Sequence, residues 1–337
     1  SGWGGALSPS IDSGPGADGG GDSETARGRD PGARAPPVPA VARKGTAMTA
    51  TIVVGVEGTP SSADALWWAA QAAQERRSTL ELLHATGFPT IALDVIYDDV
   101  IQEGALTLLE KEAARVHERF NDLQTRLRVD RGTAAHALCE RSRDVDLVVI
   151  GSHPLSGFER VVTGSLSYQI AAGAYCPVVI VPALPADDAA GVVVGADGSP
   201  DSLEAIELAA KEAERIGEDL HVVHAWQEPA MYLQADFYPV DFADELRDAE
   251  RLILAESVAG LAERYPDLVV HRVLVQDQPS QALIDAAAKA KLLVVGSRGR
   301  HGVARALLGS VSHSVVLHAP CPVMVARTWT HRTAEHT

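Results

Sequence analysis

The sequence predicts a tandem pair of doubly wound α/β domains, and two observations carry that prediction. Short Val/Ile/Leu runs without polar alternation, such as TIVVG at 51–55 and LLVVG at 292–296, read as strands buried on both faces of a parallel sheet. They alternate with amphipathic stretches, which gives right-handed strand–helix–strand units. The whole pattern then occurs twice. TIVVGVEGTPSSADAL (51–66) matches GVVVGADGSPDSLEAI (191–206), an offset of 140 from position 51 to position 191. DLVVIGSHP (146–154) matches KLLVVGSRG (291–299), an offset of 145 from position 146 to position 291. Such a period is a whole domain and not a solenoid repeat.

The chain has 337 residues, room for about two domains at ~150 residues each. Residues 1–47 are rich in Gly, Pro, Ala and Ser; such a segment cannot offset its ordering entropy and is expected to be disordered. Met48 follows, so it either starts the natural chain or ends a flexible tail. The first copy is expected over 50–183, a linker over 184–190, the second copy over 191–328 and a flexible end over 329–337. Within each copy a first strand leads into a Ser/Thr/Pro start signal and an amphipathic helix. In the second copy Pro200 sits early in that helix, and Leu203, Ile206, Ala210 and Ala213 are expected on its buried face. A strand ending at a histidine follows (His224 in the second copy), then a long helix over roughly 100–125 in one copy and 238–265 in the other. Next come a strand, a short helix bearing Ala282, Ile284 and Ala288, a fourth strand, a glycine-rich loop, a helix and a last strand. In such a sheet a ligand sits beyond the carboxyl ends of the strands, where the strand order reverses.

Composition excludes several functions. The formal net charge is -16, which opposes a phosphate backbone or an anionic membrane surface. No apolar run approaches the ~20 residues of a membrane helix, and the N-terminal segment has no apolar signal-peptide core. The three cysteines form no CxxC pair. Cys176 and Cys321 open apolar runs and are expected to be buried, in a reduced compartment. A cytoplasmic protein is expected.

The loop GSRGRHGVARALLGS at 296–310 runs Gly296-x-x-Gly299, nine residues, then Gly309-Ser310 into a helix. Glycines let main chain approach a ligand, and a helix N-terminus adds free donors and partial positive charge. Together they suit an anion, most naturally a phosphate. Ser310 is placed either to cap the helix or to donate to a phosphate oxygen. No Gly-Lys-Ser/Thr follows, so the loop is not a P-loop, and it lies after the fourth strand, unlike the dinucleotide fingerprint. Asp197 ends the first strand and either faces the same crevice or caps the helix after it.

G-x-x-G, nine residues, G-S, with a first-strand VGxDGS and a closing CPVxVV, resembles the universal stress protein family over both copies, leaving only the tails. The resemblance implies two domains of the adenine-nucleotide hydrolase-like (HUP) fold, each a five-stranded parallel sheet with helices on both faces. In ATP-binding members the loop glycines and the serine hold the triphosphate, while the first-strand Asp and the residue after the second-strand His hold the adenosine. Carried onto the second copy, these are Gly296, Gly299, Gly309, Ser310, Asp197 and Ala225, with Val311 and Ser312 beside the phosphates. The implied ligand is ATP, with magnesium carried on its phosphates. The implied dimer contact, last strand to last strand, would here fall between CPVVIVP and CPVMVAR inside one chain; whether two chains associate further stays open.

The first copy keeps Ala85, Gly151, Gly157, Gly164 and Ser165 but has Glu57 for Asp197 and Pro154 for Gly299. Proline removes an N–H and fixes φ, so a loop using φ > 0 there must be rebuilt, and a weakened site is expected. The leading function is a non-catalytic ATP-binding regulator of stress response; the alternatives are a slow ATP hydrolase or adenylyl-transferring relative, and a scaffold without nucleotide. Arg298, Arg300, His301 and Arg305 near the loop suit phosphate but form no catalytic constellation with a base and nucleophile. His313 and His318, five apart, do not share the helix face that metal ligands need, and no metal site is expected.

Overall fold

The computed structural model describes residues 50–87, 95–152, 160–228, 242–299 and 307–327, and of 95–98, 160–165 and 242 only the helical backbone. The 1–47 segment and the 329–337 end, with Pro154, Gly157, Arg300, His301 and Arg305, lie outside the described residues. The first half runs β1 (Thr51–Gly55), α1 (Pro60–Arg76), β2 (Thr79–Ala85), α2 (Val95–Arg119), β3 (Thr125–Asp130), α3 (Ala134–Arg141), β4 (Leu147–Gly151), α4 (Arg160–Gly173) and β5 (Val178–Val181). The second half runs β6 (Val192–Gly195), α5 (Pro200–Ile216), β7 (Leu220–Trp226), α6 (Phe242–Ser257), α7 (Leu261–Arg264), β8 (Val270–Gln276), α8 (Pro279–Ala286), β9 (Leu292–Gly296), α9 (Ser310–His318) and β10 (Val323–Ala326).

The strands form one sheet in the order β3-β2-β1-β4-β5-β10-β9-β6-β7-β8. Within each half every neighbouring pair is parallel, and the join between halves, β5 against β10, is antiparallel. Adjacent residues of one strand serve opposite cores. Ile52 and Val54 pack on one side of the sheet and Val53 on the other, all buried. That explains the unbroken apolar runs, since a strand covered on both faces has no solvent side to encode. The strand order reverses between β1 and β4 and again between β6 and β9, and these two switch points are where ligands are expected. No helix among the described residues is long and apolar enough to cross a membrane.

Local chemistry sets the helix limits. Thr59 and Ser199 are the N-caps of α1 and α5, each accepting from the backbone N–H three residues on, with Pro60 and Pro200 at the first helical position. Gly198, at φ +77, makes the left-handed turn before the Ser199 cap. The face of α5 differs from expectation at its start. Ile206, Ala210 and Ala213 are buried, but Leu203 is 44% exposed; Ser202 takes the inward place and donates its hydroxyl to the Ser199 carbonyl. The long helices differ from expectation, the first shifted toward the N-terminus and the second shorter. α2 spans 95–119, not 100–125, and ends before the Asn121–Asp122 turn. Its counterpart spans 242–257 and is separated from α7 by a turn that ends at Gly260, φ +75. α8 buries Ala282 and Leu283, while Ala288 lies past its end and is exposed. Cys176 and Cys321 are buried free thiols whose pKa burial pushes up to about 12.

A charge cluster between α1 and α5 reinforces the join. Glu212 accepts from Arg76 of the first half at 2.7 Å and from Arg215 at 2.7 Å, and Arg215 also reaches Glu75. Burial alone would push the Glu212 carboxyl up, but Arg76 and Arg215 outweigh it and hold the group below its ordinary 4.5. A depressed folded-state value contributes stability above the unfolded-state value, lost as pH falls through the folded one. Glu212→Gln, leaving both guanidiniums without their shared carboxylate, is expected to cost roughly 3 kcal/mol at pH 7. Thermal melts of parent and variant from pH 7 down to about pH 3 should converge below about pH 4.5; parallel curves would show that the carboxylate carries no such load.

Candidate functional site

At the β6–β9 switch point the fold leaves a cavity of about 410 Å³. It brings together all eight positions expected in the second copy: Asp197, Ala225, Gly296, Gly299, Gly309, Ser310, Val311 and Ser312. One wall is the β9–α9 loop, described at its two ends. The Gly309 N–H donates to the Ser297 carbonyl at 2.9 Å and closes the loop's base. Gly309, and not Ser310, is the N-cap of α9, and it has no side chain to satisfy the first turn. The expected capping role of Ser310 therefore falls away: its side chain is exposed at the first helical position. The uncapped first turn keeps its N–H groups for an incoming anion. The Ser312 hydroxyl, expected beside the phosphates, donates to the Gly296 carbonyl at 2.6 Å and holds the loop to the helix.

The glycines divide into two kinds. A Cβ on Gly296 would lie 2.9 Å from the Asp201 carbonyl oxygen, and one on Gly151, its counterpart, 2.4 Å from that of Ser61. These two let the end of the fourth strand pack on the first turn of α5 or α1. Gly299 answers to the site instead: a Cβ there would lie 2.6 Å from Asp197 Oδ2. It is not among the positive-φ residues, so the loop needs glycine there for room and not for a left-handed backbone. Asp197 does not cap α5 either; Ser199 does, and Asp197 Oδ1 accepts from the Ser199 N–H at 2.9 Å. The two departures of the first copy, Glu57 and Pro154, thus fall on positions that touch each other in the second.

Arg298 was expected beside the phosphates; what holds it, the Trp226 wall and the Glu250 partner of His224 were not foreseen. Arg298 Nε donates to Asp201 Oδ2 at 3.1 Å, and Ser297 Oγ donates to the same oxygen at 2.8 Å, fixing a guanidinium at the cavity wall. Trp226, 6% exposed, forms apolar wall at the end of β7. His224, buried, faces the Ala196 carbonyl through Nδ1 at 2.7 Å and Glu250 Oε2 through Nε2 at 2.6 Å. A carbonyl only accepts, so Nδ1 carries a hydrogen, and one proton lies between Nε2 and the Glu250 carboxyl. The signal for Glu250 was present in the register of its helix: Leu254, four residues on, is core, which turns Glu250 inward one turn earlier.

In the first half, Glu57, Ala85 and Gly151 line a space of about 50 Å³. Gly164 and Ser165 lie in α4, where only backbone is described. Among the described residues no group of His, Cys, Asp and Glu is arranged to hold a metal ion.

The sequence pattern of the Universal stress protein family matches residues 48–182 and 191–327. The chain belongs to that family. A universal stress protein of Mycobacterium bovis is 34% identical over 301 residues, covering 82% of this chain and 94% of the relative. One from Mycobacterium tuberculosis is 35% identical over 289 residues, covering 82% and 96%. The crystal structure of a universal stress protein from Archaeoglobus fulgidus aligns with a TM-score of 0.60 at 21% identity, covering 82% of this chain and 98% of that one. The relatives share the tandem arrangement, and the family's two matches divide this universal stress protein where its sheet changes from parallel to antiparallel pairing.

The glycine distances predict a stability series. Gly151→Ala and Gly296→Ala push a methyl into backbone and are expected to cost about 1–3 kcal/mol each. Gly309→Ala, whose methyl would come no closer than 3.4 Å to a neighbour, should melt within a degree or two of the parent. Equal losses at all three positions would contradict the assignment of Gly151 and Gly296 to packing.

Proposed function

We propose that this universal stress protein is a non-catalytic ATP-binding regulator whose principal site is the cavity of the second half. The observation that carries the reading is that cavity, at the β6–β9 switch point and bordered by the uncapped N-terminus of α9. Its volume lies in the ordinary range for a small-molecule site, ~300–1,000 Å³. The triphosphate would lie against the first turn of α9 and the Gly299 main chain, with Arg298 adding positive charge. Asp197 would accept from the ribose, and Ala225 would meet the adenosine. Magnesium would arrive on the phosphates. The first half, with about 50 Å³ between Glu57, Ala85 and Gly151, is the weaker site or none.

Because Gly299 and Asp197 touch, they act as one element, and their variants should not be additive. Calorimetric titration of the full chain with Mg-ATP is expected to show one tight site. Gly299→Ala and Asp197→Ala should each weaken it by about tenfold to a hundredfold, the span of a hydrogen bond to a charged group. The double variant should be little worse than either single. Two equally tight sites would dismiss the asymmetry, and strict additivity would dismiss the coupling.

A regulator holds its ligand and does not turn it over. Phosphate release from Mg-ATP should stay far below ~1 s⁻¹, the lower edge of ordinary enzyme turnover. Turnover at or above that rate would make the protein a hydrolase.

A further inference from the structure

We propose that Glu250 selects the base in this cavity, its Oε1 accepting a hydrogen bond from the exocyclic amine of adenine. The inference rests on the nucleotide reading above and extends it to a residue outside the family pattern that supports that reading. In the sheet, β6 lies between β9 and β7, so a ligand whose phosphates meet the β9–α9 loop reaches across β6 toward β7. Glu250 stands at that far end, tied by Oε2 to His224 of β7 at 2.6 Å. It borders the cavity and its side chain is 16% exposed.

The hydrogen-bond inventory narrows the ligand. The His224 ring is fixed by the Ala196 carbonyl, and its other nitrogen takes one Glu250 oxygen. Oε1 has no partner among the described residues and opens to the cavity, where it is left to accept from a ligand. Guanine presents two adjacent donors, N1–H and the 2-amine, and would call for both oxygens of the carboxylate. One free oxygen at the far end of the cavity matches one donor at the purine 6-position, which adenine supplies through its amine.

The first half shows what the acid adds. Leu109 and Val116 of α2 occupy the buried places that Leu254 and Leu261 occupy in the second half. That register puts Ala105 where Glu250 stands. His84 keeps the carbonyl bond, Nδ1 to the Val56 oxygen at 2.7 Å. The histidine is therefore part of the scaffold, and the acid belongs to the half with the larger cavity.

The test is calorimetric titration of the full chain with ATP, ITP and 2′-deoxy-ATP, on the parent, Glu250→Ala and Glu250→Gln. ITP replaces the 6-amine with a carbonyl, which would face the carboxylate as a second acceptor, and moves the ring's one donor to N1, away from the place of the amine. The parent should prefer ATP over ITP by about tenfold to a hundredfold. Glu250→Ala, the residue of the first half, should bring that ratio near one and leave the ratio of ATP to 2′-deoxy-ATP unchanged. Glu250→Gln should keep the preference, since its amide oxygen still accepts while its amide nitrogen donates to His224 Nε2. Melting curves establish that both variants are folded. A parent that binds ATP and ITP alike overturns the inference while leaving nucleotide binding intact. So does an alanine variant that keeps the ATP/ITP ratio, or one that changes the deoxy ratio instead, which would make Glu250 a ribose ligand. A parent that binds none of the three overturns the nucleotide reading itself, and this inference with it.

Discussion

The antiparallel ladder between β5 and β10 is the contact on which the rest of the architecture depends. Each half alone would end in an apolar strand, VVIV or VMVA, with an unpaired edge of backbone donors and acceptors, a template for aggregation. Pairing the two edges removes both and makes a single ten-stranded sheet. The register is self-matched. Val179 lies opposite Met324, its own counterpart at the 145-residue offset between positions 179 and 324. A pseudo-two-fold axis therefore passes through that pair, and other equivalent residues meet near it. Tyr168 and His313 make an edge-on ring contact with centroids 4.9 Å apart. On the opposite face, Glu75 meets Arg215, its counterpart at the 140-residue offset. Arg327, just past β10, donates to the Ala171 carbonyl at the end of α4.

A joint built from equivalent surfaces would permit two identical halves, yet the crevices differ. The differences are clustered. Asp197 and Gly299 touch in the second half, and the first half replaces both. The His224 ring is seated by a carbonyl in the same way as His84, but among the described residues only His224 also meets an acid. The residues that seat the sheet on its helices are retained in both copies: Gly151 and Gly296 at the end of the fourth strand, Thr59 and Ser199 as N-caps, and the alanines of α1 and α5 against the core. Constraint follows packing, and divergence follows the cavity.

The same distinction explains how much the sequence revealed. Strand positions, the starts of α1 and α5 and the tandem offset were legible because each follows from local chemistry, whether apolar runs, Ser/Thr/Pro signals or repetition. The eight cavity residues of the second half were legible through the glycine spacing and its family resemblance. What the sequence hid depends on distance across the fold. That Gly299 is needed to make room for Asp197, 102 positions earlier from 299 to 197, cannot be read from either neighbourhood. A positive φ was the natural local explanation for the glycine, and it is not the operative one. Ser310 looked like a cap because it precedes a helical run, but the helix begins one residue earlier in effect, with Gly309 as its cap.

Glu250 shows the limit most clearly. On α6 it stands in a run, ADELRDAERLILAES, that reads as a charged solvent-facing helix. The hydrophobic positions that orient that helix, Leu254 among them, bury it against β7 and β8 and carry one carboxylate inward with them. An inward carboxylate is unfavourable unless hydrogen-bonded, and here a histidine already held by the backbone supplies one bond. The other oxygen opens to the cavity and is left for whatever occupies it. A scaffold that merely needed to fold would place an alanine there, as the first half does at Ala105. The physical argument for a ligand in the second half is thus strongest at the position where folding alone would favour a different residue.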